Sequence, residues 1–536
     1  MADVDASAGV GGDAGAGALS GGGGEGAGAG PASLVATLTG PLTAELAAGL
    51  AGVEWLEVRA DLVGDVDPEA LRQLFPGKLL YTLRSRAEGG GFEGSPDRRK
   101  RRLLEAAARY DRIDLEVARD LAPELLDAVP PAWRLISWHG PPADLEALEG
   151  WFARMAAVDA ALYKLVPAAA QSGEELPPLA LLHKLARRDV VAFASGPTGV
   201  WTRLVAPRLG APVVYGAAGE LPGAAGAPGQ PSIRTLREDY GLPALPPVAA
   251  LFGVVGNPVA HSLSPRLHNG AYRELGIPAL YLPFHAESFG DFWLEVVEEG
   301  ILETLGLPLR GLSITAPYKA AALAVAGAES PLAGLIGAAN TLVLSHGVWE
   351  AESTDPDGIV EPLRQRRIEV AGRRAAVLGA GGGGRSAAVG LAGAGAHVTL
   401  FNRTPERAEK AAADLGLPHR PLSALHPADY DILVNATPLG RAPDPPADSR
   451  GDNRGDAEPL PFAVAALRPG AVVIDLVYRQ DGTATPLLAA AAAQGALAID
   501  GREVLLGQAR GQFRLMTGKE LPVQLARRLL GLVAGH

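Results

Sequence analysis

Lys164 stands in the run Ala161-Leu-Tyr-Lys-Leu-Val-Pro167, a positive charge inside an otherwise apolar, β-type segment. Desolvation there lowers the pKa of the amine and makes its neutral form available as a nucleophile toward a ketone. A lysine that ends a strand and reaches out to water has the same local sequence, and the residue alone does not separate the two. His139 closes a similar run, Ile136-Ser-Trp-His139, and read singly it fits a hydrogen-bonded structural histidine. As a pair they are more informative. An amine that forms an imine, beside a general base, is the equipment for eliminating water next to a carbonyl. Arginines at the ends of other runs, such as Arg59 and Arg84, are suited to hold a carboxylate bidentately.

A different chemistry is written further along the chain. Gly379-Ala380-Gly381-Gly382-Gly383-Gly384 follows a β-type run and opens an alanine-rich helical stretch. In that context glycines let the backbone approach a pyrophosphate at a helix N-terminus. The next β-type run, His397–Phe401, ends in Asn402-Arg403-Thr404, with Arg407 nearby. An NAD site wants an acid there for the ribose hydroxyls, whereas arginine suits a 2′-phosphate, so NADP is expected over NAD. Upstream, Gly256–Pro265 contains Ser262 and Ser264, which fit either capping of a helix or the cupping of a carboxylate. Lys319 and Asp355 are charges that nothing in their own surroundings pairs.

These residues need a scaffold. Eight β-type runs recur between Ser33 and Gly216 with helical stretches between them: Ser33–Leu38, Trp55–Leu62, Lys78–Arg84, Asp111–Val117, Trp133–His139, Ala161–Pro167, Val190–Gly196 and Ala211–Gly216. Alternation of this kind predicts parallel sheet, and eight units predict a compact (β/α)8 barrel. Glu57, Arg59, Arg84, Glu116, His139 and Lys164 then converge on one mouth. Leu221–Pro231 is rich in Gly, Pro and Ala, and Leu242–Pro247 reads as a stiff extended connector. The pattern restarts at Leu251–Gly256 and breaks again near Glu369. The expected division is a Gly/Ala-rich tail that does not fold over 1–32, a barrel over 33–240 and a linker over 241–249. A small α/β domain then covers 250–368, completed by C-terminal helices from about 506 to 536, with a Rossmann domain over 369–505. Arg441–Leu460, polar and rich in Pro and Asp, reads as a surface insertion.

The first half resembles the type I 3-dehydroquinate dehydratases. The matching stretches are Glu57-Val-Arg-Ala-Asp61, Thr82-Leu-Arg84 with Glu88-Gly-Gly90, Asp114-Leu-Glu116, Ser137-Trp-His139, Tyr163-Lys164 and Pro228-Gly-Gln230. The resemblance implies that Lys164 forms the imine and His139 moves protons, while Thr37, Glu57, Arg59, Arg84, Arg203 and Gln230 bind the substrate. Gly226 stands where that family usually has serine, and Thr202-Arg203 where it favours Ser-Arg. From 251 onward the chain resembles the shikimate dehydrogenases in ordered motifs: the serine stretch, Asn340-Thr341, Asn435-Ala-Thr-Pro-Leu-Gly440, Asp475-Leu-Val-Tyr478 and Gly501 with Gln508-Ala509. The implied substrate set is Ser262, Ser264, Thr315, Asn340, Tyr478 and Gln508, with Lys319 and Asp355 serving proton transfer. The implied cofactor set is Gly379, Ala380, Gly381, Gly382, Gly383, Asn402, Arg403, Thr404, Arg407, Leu476 and Gly501. Ser313 and Ser353 replace two family asparagines, which leaves shikimate and quinate open as alternatives.

Composition narrows the class. The chain has 536 residues, 48% of them hydrophobic and 20% charged, enough for about three domains. Its formal charge of −12 and the lack of basic runs beyond Arg98–Arg102 argue against a nucleic-acid partner. With no cysteine, disulfides, thiolate metal sites and cysteine nucleophiles are excluded, and a cytoplasmic location fits. No apolar run is long enough to span a membrane, and no metal is expected. The expected partners are small carboxylates, with the oligomeric state open. The resulting expectation is a bifunctional enzyme that dehydrates 3-dehydroquinate and reduces the product with NADPH. The alternatives are a quinate-preferring dehydrogenase and a non-catalytic NADP-binding scaffold.

Overall fold

The computed structural model describes residues 32–219, 229–439 and 460–532. Gly226, most of the Gly/Ala-rich tail and almost all of the Arg441–Leu460 insertion lie outside the described residues.

Eight parallel strands form the first unit: β1 (Ser33–Leu38), β2 (Trp55–Arg59), β3 (Lys78–Thr82), β4 (Arg112–Glu116), β5 (Arg134–Gly140), β6 (Leu162–Pro167), β7 (Val190–Ala192) and β8 (Val213–Ala217). Their lateral order is β7-β6-β5-β4-β3-β2-β1-β8, a (β/α)8 barrel closed everywhere except at a seam between β7 and β8. The strands are buried along nearly their whole length, as expected when helices cover the outside and side chains fill the inside. Most of the expected runs differ from the strands at one end or both. Trp55–Leu62 ends at Arg59 because Ala60–Val63 turns helical, Val190–Gly196 stops at Ala192, and Trp133 belongs to a 3₁₀ turn that precedes β5. Apolar runs do not distinguish a strand's end from the buried start of the next element.

A second unit has six strands: β9 (Ala250–Gly256), β10 (Ala279–His285), β11 (Leu309–Ile314), β12 (Ala328–Glu329), β13 (Thr341–Ser345) and β14 (Val348–Glu352). Their order is β10-β9-β11-β13-β14-β12, with β13 antiparallel to both its neighbours. The C-terminal helices Gly501–Thr517 and Val523–Leu529 return to this unit, where Leu505, Ala509, Phe513 and Leu530 share a core with Phe252, Leu267 and Tyr281. The third sheet is wholly parallel: β15 (Arg374–Leu378), β16 (His397–Asn402), β17 (His419–Pro421), β18 (Ile432–Asn435), β19 (Val472–Asp475) and β20 (Leu497–Ile499). Its order, β17-β16-β15-β18-β19-β20, reverses direction between β15 and β18, the crevice where doubly wound sheets bind dinucleotides.

The connector differs from the extended segment expected. Leu242 and Pro243 form a turn, and Leu242 is only 2% exposed because its side chain joins the barrel's core. Beyond it, barrel and second unit share one continuous apolar cluster, with Trp201 of the barrel set edge-on against Phe284 of β10, ring centroids 5.2 Å apart. Arg266 also bonds Asp239 at 2.7 Å across the junction.

Glu175, in the loop after β6, is 1% exposed. Burial pushes its carboxyl up to about 7, against hydrogen bonds from nearby backbone and from the Trp201 indole. The folded chain therefore holds a proton there that the unfolded chain releases near 4.5. The associated stability is fully present below that pH and is lost as pH rises through about 7. Glu175→Gln, which cannot ionise, should be more stable than the wild-type chain at pH 8 by on the order of 2–3 kcal/mol, with the gap closing below pH 5. Thermal denaturation across that range checks this, and a pH-independent difference would contradict it.

Two candidate active sites

The barrel encloses a pocket of about 290 Å³ lined by Thr37, Glu57, Arg59, Arg84, His139, Lys164, Arg203 and Gln230, among others. All eight first-half site residues expected from the sequence are thus brought to one cavity. Lys164 is 5% exposed, so it does not snorkel: its Nζ lies 3.7 Å from Glu57 Oε1 and 3.7 Å from the centroid of the Tyr215 ring. Burial lowers its pKa, with Glu57 and Asp114 pulling the other way. Burial by itself would raise the Glu57 carboxyl, yet Lys164, Arg59 and a hydrogen bond from Thr37 hold it below the usual range. Thr37 donates to Glu57 at 2.8 Å, Thr82 donates to its other oxygen at 3.0 Å, and Gln230 donates to Thr37 at 3.1 Å. The pocket's amine therefore faces one ionised carboxylate in a fixed orientation.

His139, on the strand next to the one that carries Lys164, lines the same cavity, its Nδ1 3.4 Å from Glu88 Oε2, while its backbone N–H donates to the same oxygen at 3.0 Å. Burial first, and then the cations Arg84, Lys164, Arg59 and Arg203, hold the imidazole well below its ordinary pKa, so it is a neutral base at pH 7. Glu88, within the stretch Glu88-Gly-Gly90, is a partner that the sequence does not single out. Burial carries its carboxyl up to about 7, with Arg84 opposing and Glu116 assisting. No periodicity marks a glutamate that will be buried, so only the fold reveals it.

The arginines differ from expectation. Arg84, read as a substrate ligand, is committed to protein: Asp114 at 2.5 Å, Ser137 at 2.8 Å, Glu88 at 3.2 Å and Glu116 at 3.4 Å. Arg59 is held bidentately by Asp61 at 2.9 and 2.7 Å. Arg203 makes no ion pair among the described residues. It donates to the Tyr215 carbonyl at 3.0 Å, stacks 4.4 Å over Phe193, and keeps its Nε buried without a partner. Burial brings its pKa down to about 10. Of the three guanidiniums, this is the one without an ion pair among the described residues.

In the second half, Asn340 organises a second cluster. Its Nδ2 donates to Asp355 at 2.7 Å and to Thr354 at 3.0 Å, and its Oδ1 accepts from Thr354 N–H at 2.9 Å. Lys319 is ion-paired with Asp355, and Ser386 donates to the same carboxylate at 3.4 Å. Asp355 opens the helix Asp355–Gln365, which packs on helix Gly501–Thr517 where Gly507 approaches Gly358 so closely that a Cβ would sit 2.8 Å from its Cα. That crossing sets Gln508 beside Gly358. One turn on, Gln512 donates to the Asn340 carbonyl at 3.0 Å. Ser262 lies in the turn after β9 and Ser264 opens the helix Ser264–Leu275; Ser264 N–H donates to Ser262 at 3.2 Å and Tyr478 accepts from Leu263 N–H at 3.5 Å. Thr315 links the groups: its N–H donates to Val255 at 2.9 Å and its methyl fills the space left by Gly256. The hydroxyls of Ser313 and Ser353, the two departures noted above, are buried without a hydrogen-bond partner.

The glycine turn lies at the sheet's crevice. Gly379, at φ +110°, passes so close to Ala436 that a Cβ would be 2.8 Å from its carbonyl. Ala380 follows, Gly381 faces open space, and helix Gly382–Gly393 begins. Gly382 rests against the Lys319 side chain, and a Cβ on Gly383 would lie 4.0 Å from Leu476. Gly501 is enclosed by the carbonyls of Asp475, Leu476 and Val477, which set its helix against the end of β19. Asn402 donates to the Thr404 carbonyl at 2.8 Å and shapes the turn that leaves Arg403 and Arg407 exposed at the end of β16. This cradle fits a dinucleotide: open glycine backbone at a helix start for the pyrophosphate, and two guanidiniums one β-α unit away for a ribose phosphate. Replacing both Arg403 and Arg407 with alanine should weaken binding of NADPH by roughly 10- to 100-fold and leave NADH binding within about twofold, as read by fluorescence titration. Equal losses for both would rule out recognition of the 2′-phosphate.

Residues 32–244 match the family model for type I 3-dehydroquinase, and residues 254–342 match that for the shikimate dehydrogenase substrate binding domain. The shikimate dehydrogenase (NADP(+)) of Acidiphilium cryptum is 42% identical over 272 residues, covering 50% of this chain and 91% of that protein. The bifunctional 3-dehydroquinate dehydratase/shikimate dehydrogenase of Arabidopsis thaliana, a chloroplastic protein, is 28% identical over 503 residues, covering 88% of this chain and 79% of its own length. The solved dehydroquinate dehydratase and shikimate dehydrogenase from S. pombe AroM covers 93% of this chain and 98% of its own, at 22% identity and a TM-score of 0.40. Order of units, identity and coverage together place the chain in the shikimate dehydrogenase family, as a fusion that carries a type I 3-dehydroquinase domain ahead of the dehydrogenase.

Proposed function

We propose that the barrel dehydrates 3-dehydroquinate to 3-dehydroshikimate through an imine on Lys164, and that the second half reduces this product to shikimate with NADPH. The observation that carries the reading is the buried Lys164 amine, beside Glu57 and in the same pocket as a neutral His139 on the adjacent strand. Neutral Lys164 attacks the ketone carbon, and loss of water from the adduct gives the imine. The iminium acidifies the neighbouring C–H, whose proton leaves to a base. The β-hydroxyl departs as water once protonated, and a second water hydrolyses the imine to return the amine. His139 is the group placed to carry these protons, and Arg203 to hold the carboxylate.

In the second half NADPH, when bound, supplies hydride to the carbonyl carbon. Ser262 and Ser264 bind the carboxylate in this reading, and Thr315, Tyr478 and Gln508 enclose the ring. The Lys319–Asp355 pair delivers the proton to the developing alkoxide, with Asn340 holding the Asp355 oxygen that Lys319 leaves free. Among the described residues, no group of His, Asp or Glu could hold a metal ion, and no helix is long and apolar enough to cross a membrane.

With 3-dehydroquinate and NADPH, the purified chain should consume NADPH, and Lys164→Ala should abolish that while leaving the reaction with 3-dehydroshikimate intact. Borohydride should trap a substrate adduct on the wild-type protein alone, read by mass. Consumption of NADPH from 3-dehydroshikimate only would sink the dehydratase assignment. Faster oxidation of quinate than of shikimate with NADP would favour the quinate-preferring alternative, to which the free Ser313 and Ser353 hydroxyls lend a physical basis.

Glu88 gives the dehydratase its acid limb. Above about 7 its carboxylate is ionised and accepts from His139; below, it takes a proton and the imidazole loses that charge. Dehydratase kcat/KM should therefore fall as pH drops through about 7. In Glu88→Gln that limb should disappear, with a plateau roughly tenfold lower. A limb that survives the substitution would assign it to another group.

A further inference from the structure

We infer that Phe284, on β10 of the dehydrogenase unit, is a positioning residue for the dehydratase pocket: by seating Trp201 it fixes the short helix that brings Arg203 to the seam of the barrel. This rests on the assignment of Arg203 as the carboxylate-binding residue.

The barrel's sheet does not close by a strand pair between β7 and β8. What bridges that gap is Arg203, bonded to the Tyr215 carbonyl on β8 and stacked on Phe193 just beyond β7. Its carrier, helix Val200–Val205, has six residues, too few to be stable on their own, so packing decides where it lies. Trp201 and Arg203 are two positions apart, about 200° around a helix, and so point to opposite sides. Arg203 enters the pocket, and Trp201 leaves the barrel. Yet Trp201 is 1% exposed, because Phe284 meets it edge-on at 5.2 Å and 63°.

A second contact repeats the pattern. The loop after β6 begins at Ala168, which lines the pocket, and ends at Glu175, whose carboxylate accepts from the Trp201 indole. On its outer side Gly173 lies against Glu295 of the dehydrogenase unit, with its would-be Cβ 3.1 Å from Oε2. Two adjacent walls of the dehydratase pocket are thus backed by the neighbouring unit. The face that a free-standing barrel turns to water here serves as a mounting.

Phe284→Leu in the full chain keeps an apolar side chain of similar size and leaves β10 intact. It should raise KM for 3-dehydroquinate roughly three- to tenfold with kcat within about twofold, since Arg203 grips a carboxylate remote from the reacting carbon. Borohydride trapping on Lys164 at saturating substrate should be unchanged, and amides 168–176 and 200–205 should exchange faster with deuterium. Trp201→Phe should move KM and exchange the same way. Phe513→Leu, in the dehydrogenase unit's other core, should move neither. The proposal is overturned if Phe284→Leu leaves KM and exchange at wild-type values, or if Phe513→Leu reproduces its effects, which would mean general loosening. Wild-type protein without dehydratase activity would instead refute the catalytic reading; the exchange pattern, which needs no turnover, then decides the positioning claim by itself.

Discussion

Holding an amine buried inside a barrel is the constraint on which the first half of this protein depends. A lysine that is 5% exposed carries a desolvation penalty large enough to destabilise the fold or to discharge the group. The structure meets it by turning Glu57 of β2 and Asp114 of β4 toward it from strands further round the barrel, so that the charged form is tolerated and the neutral form is within reach. Each added carboxylate then needs a cation or donors of its own. Arg84 pairs with Asp114, Glu116 and Glu88, Arg99 and Arg119 add further cations at Glu116 and Glu88, and Thr37, Thr82 and Ser137 donate hydrogen bonds. Arg84 is therefore better understood as the counter-charge that keeps the pocket's acids in place than as a free hand for substrate.

The second site solves a similar problem on a different scaffold. Asp355 is buried at a helix start and stays supported on three sides, by Asn340, Lys319 and Ser386. These partners come from a strand connection in the small domain, a helix beside the glycine turn, and the dinucleotide-binding helix itself. Asn340 and Lys319 meet Asp355 within the small domain, Ser386 adds a contact from the other half of the dehydrogenase, and Gly382 rests against the Lys319 side chain.

Joining the two enzymes does more than raise a local concentration. A tether alone would act through linker length. Here the connector folds onto the barrel at Leu242, and apolar side chains of both units pack into one cluster. The product of the first site still has to leave one mouth and enter another cleft, but the walls of the first are mechanically part of the second.

Much of this was legible in the chain itself. Eight apolar runs alternating with helical stretches dictate a barrel, because strands buried on both faces must be apolar throughout and crossovers must be helical. A glycine turn followed by Arg403 selects a phosphorylated dinucleotide through sterics and charge that act locally. Ordered motifs located Lys164, His139, Lys319 and Asp355. The tertiary structure decided which partners those groups have. That Glu88 is buried against His139, that Arg59 and Arg84 are already paired while Arg203 is not, and that Trp201 is covered by Phe284 all depend on residues far apart in sequence. Electrostatic pairing and burial are properties of three-dimensional distance, falling off within a few ångströms, and no spacing along the chain encodes them.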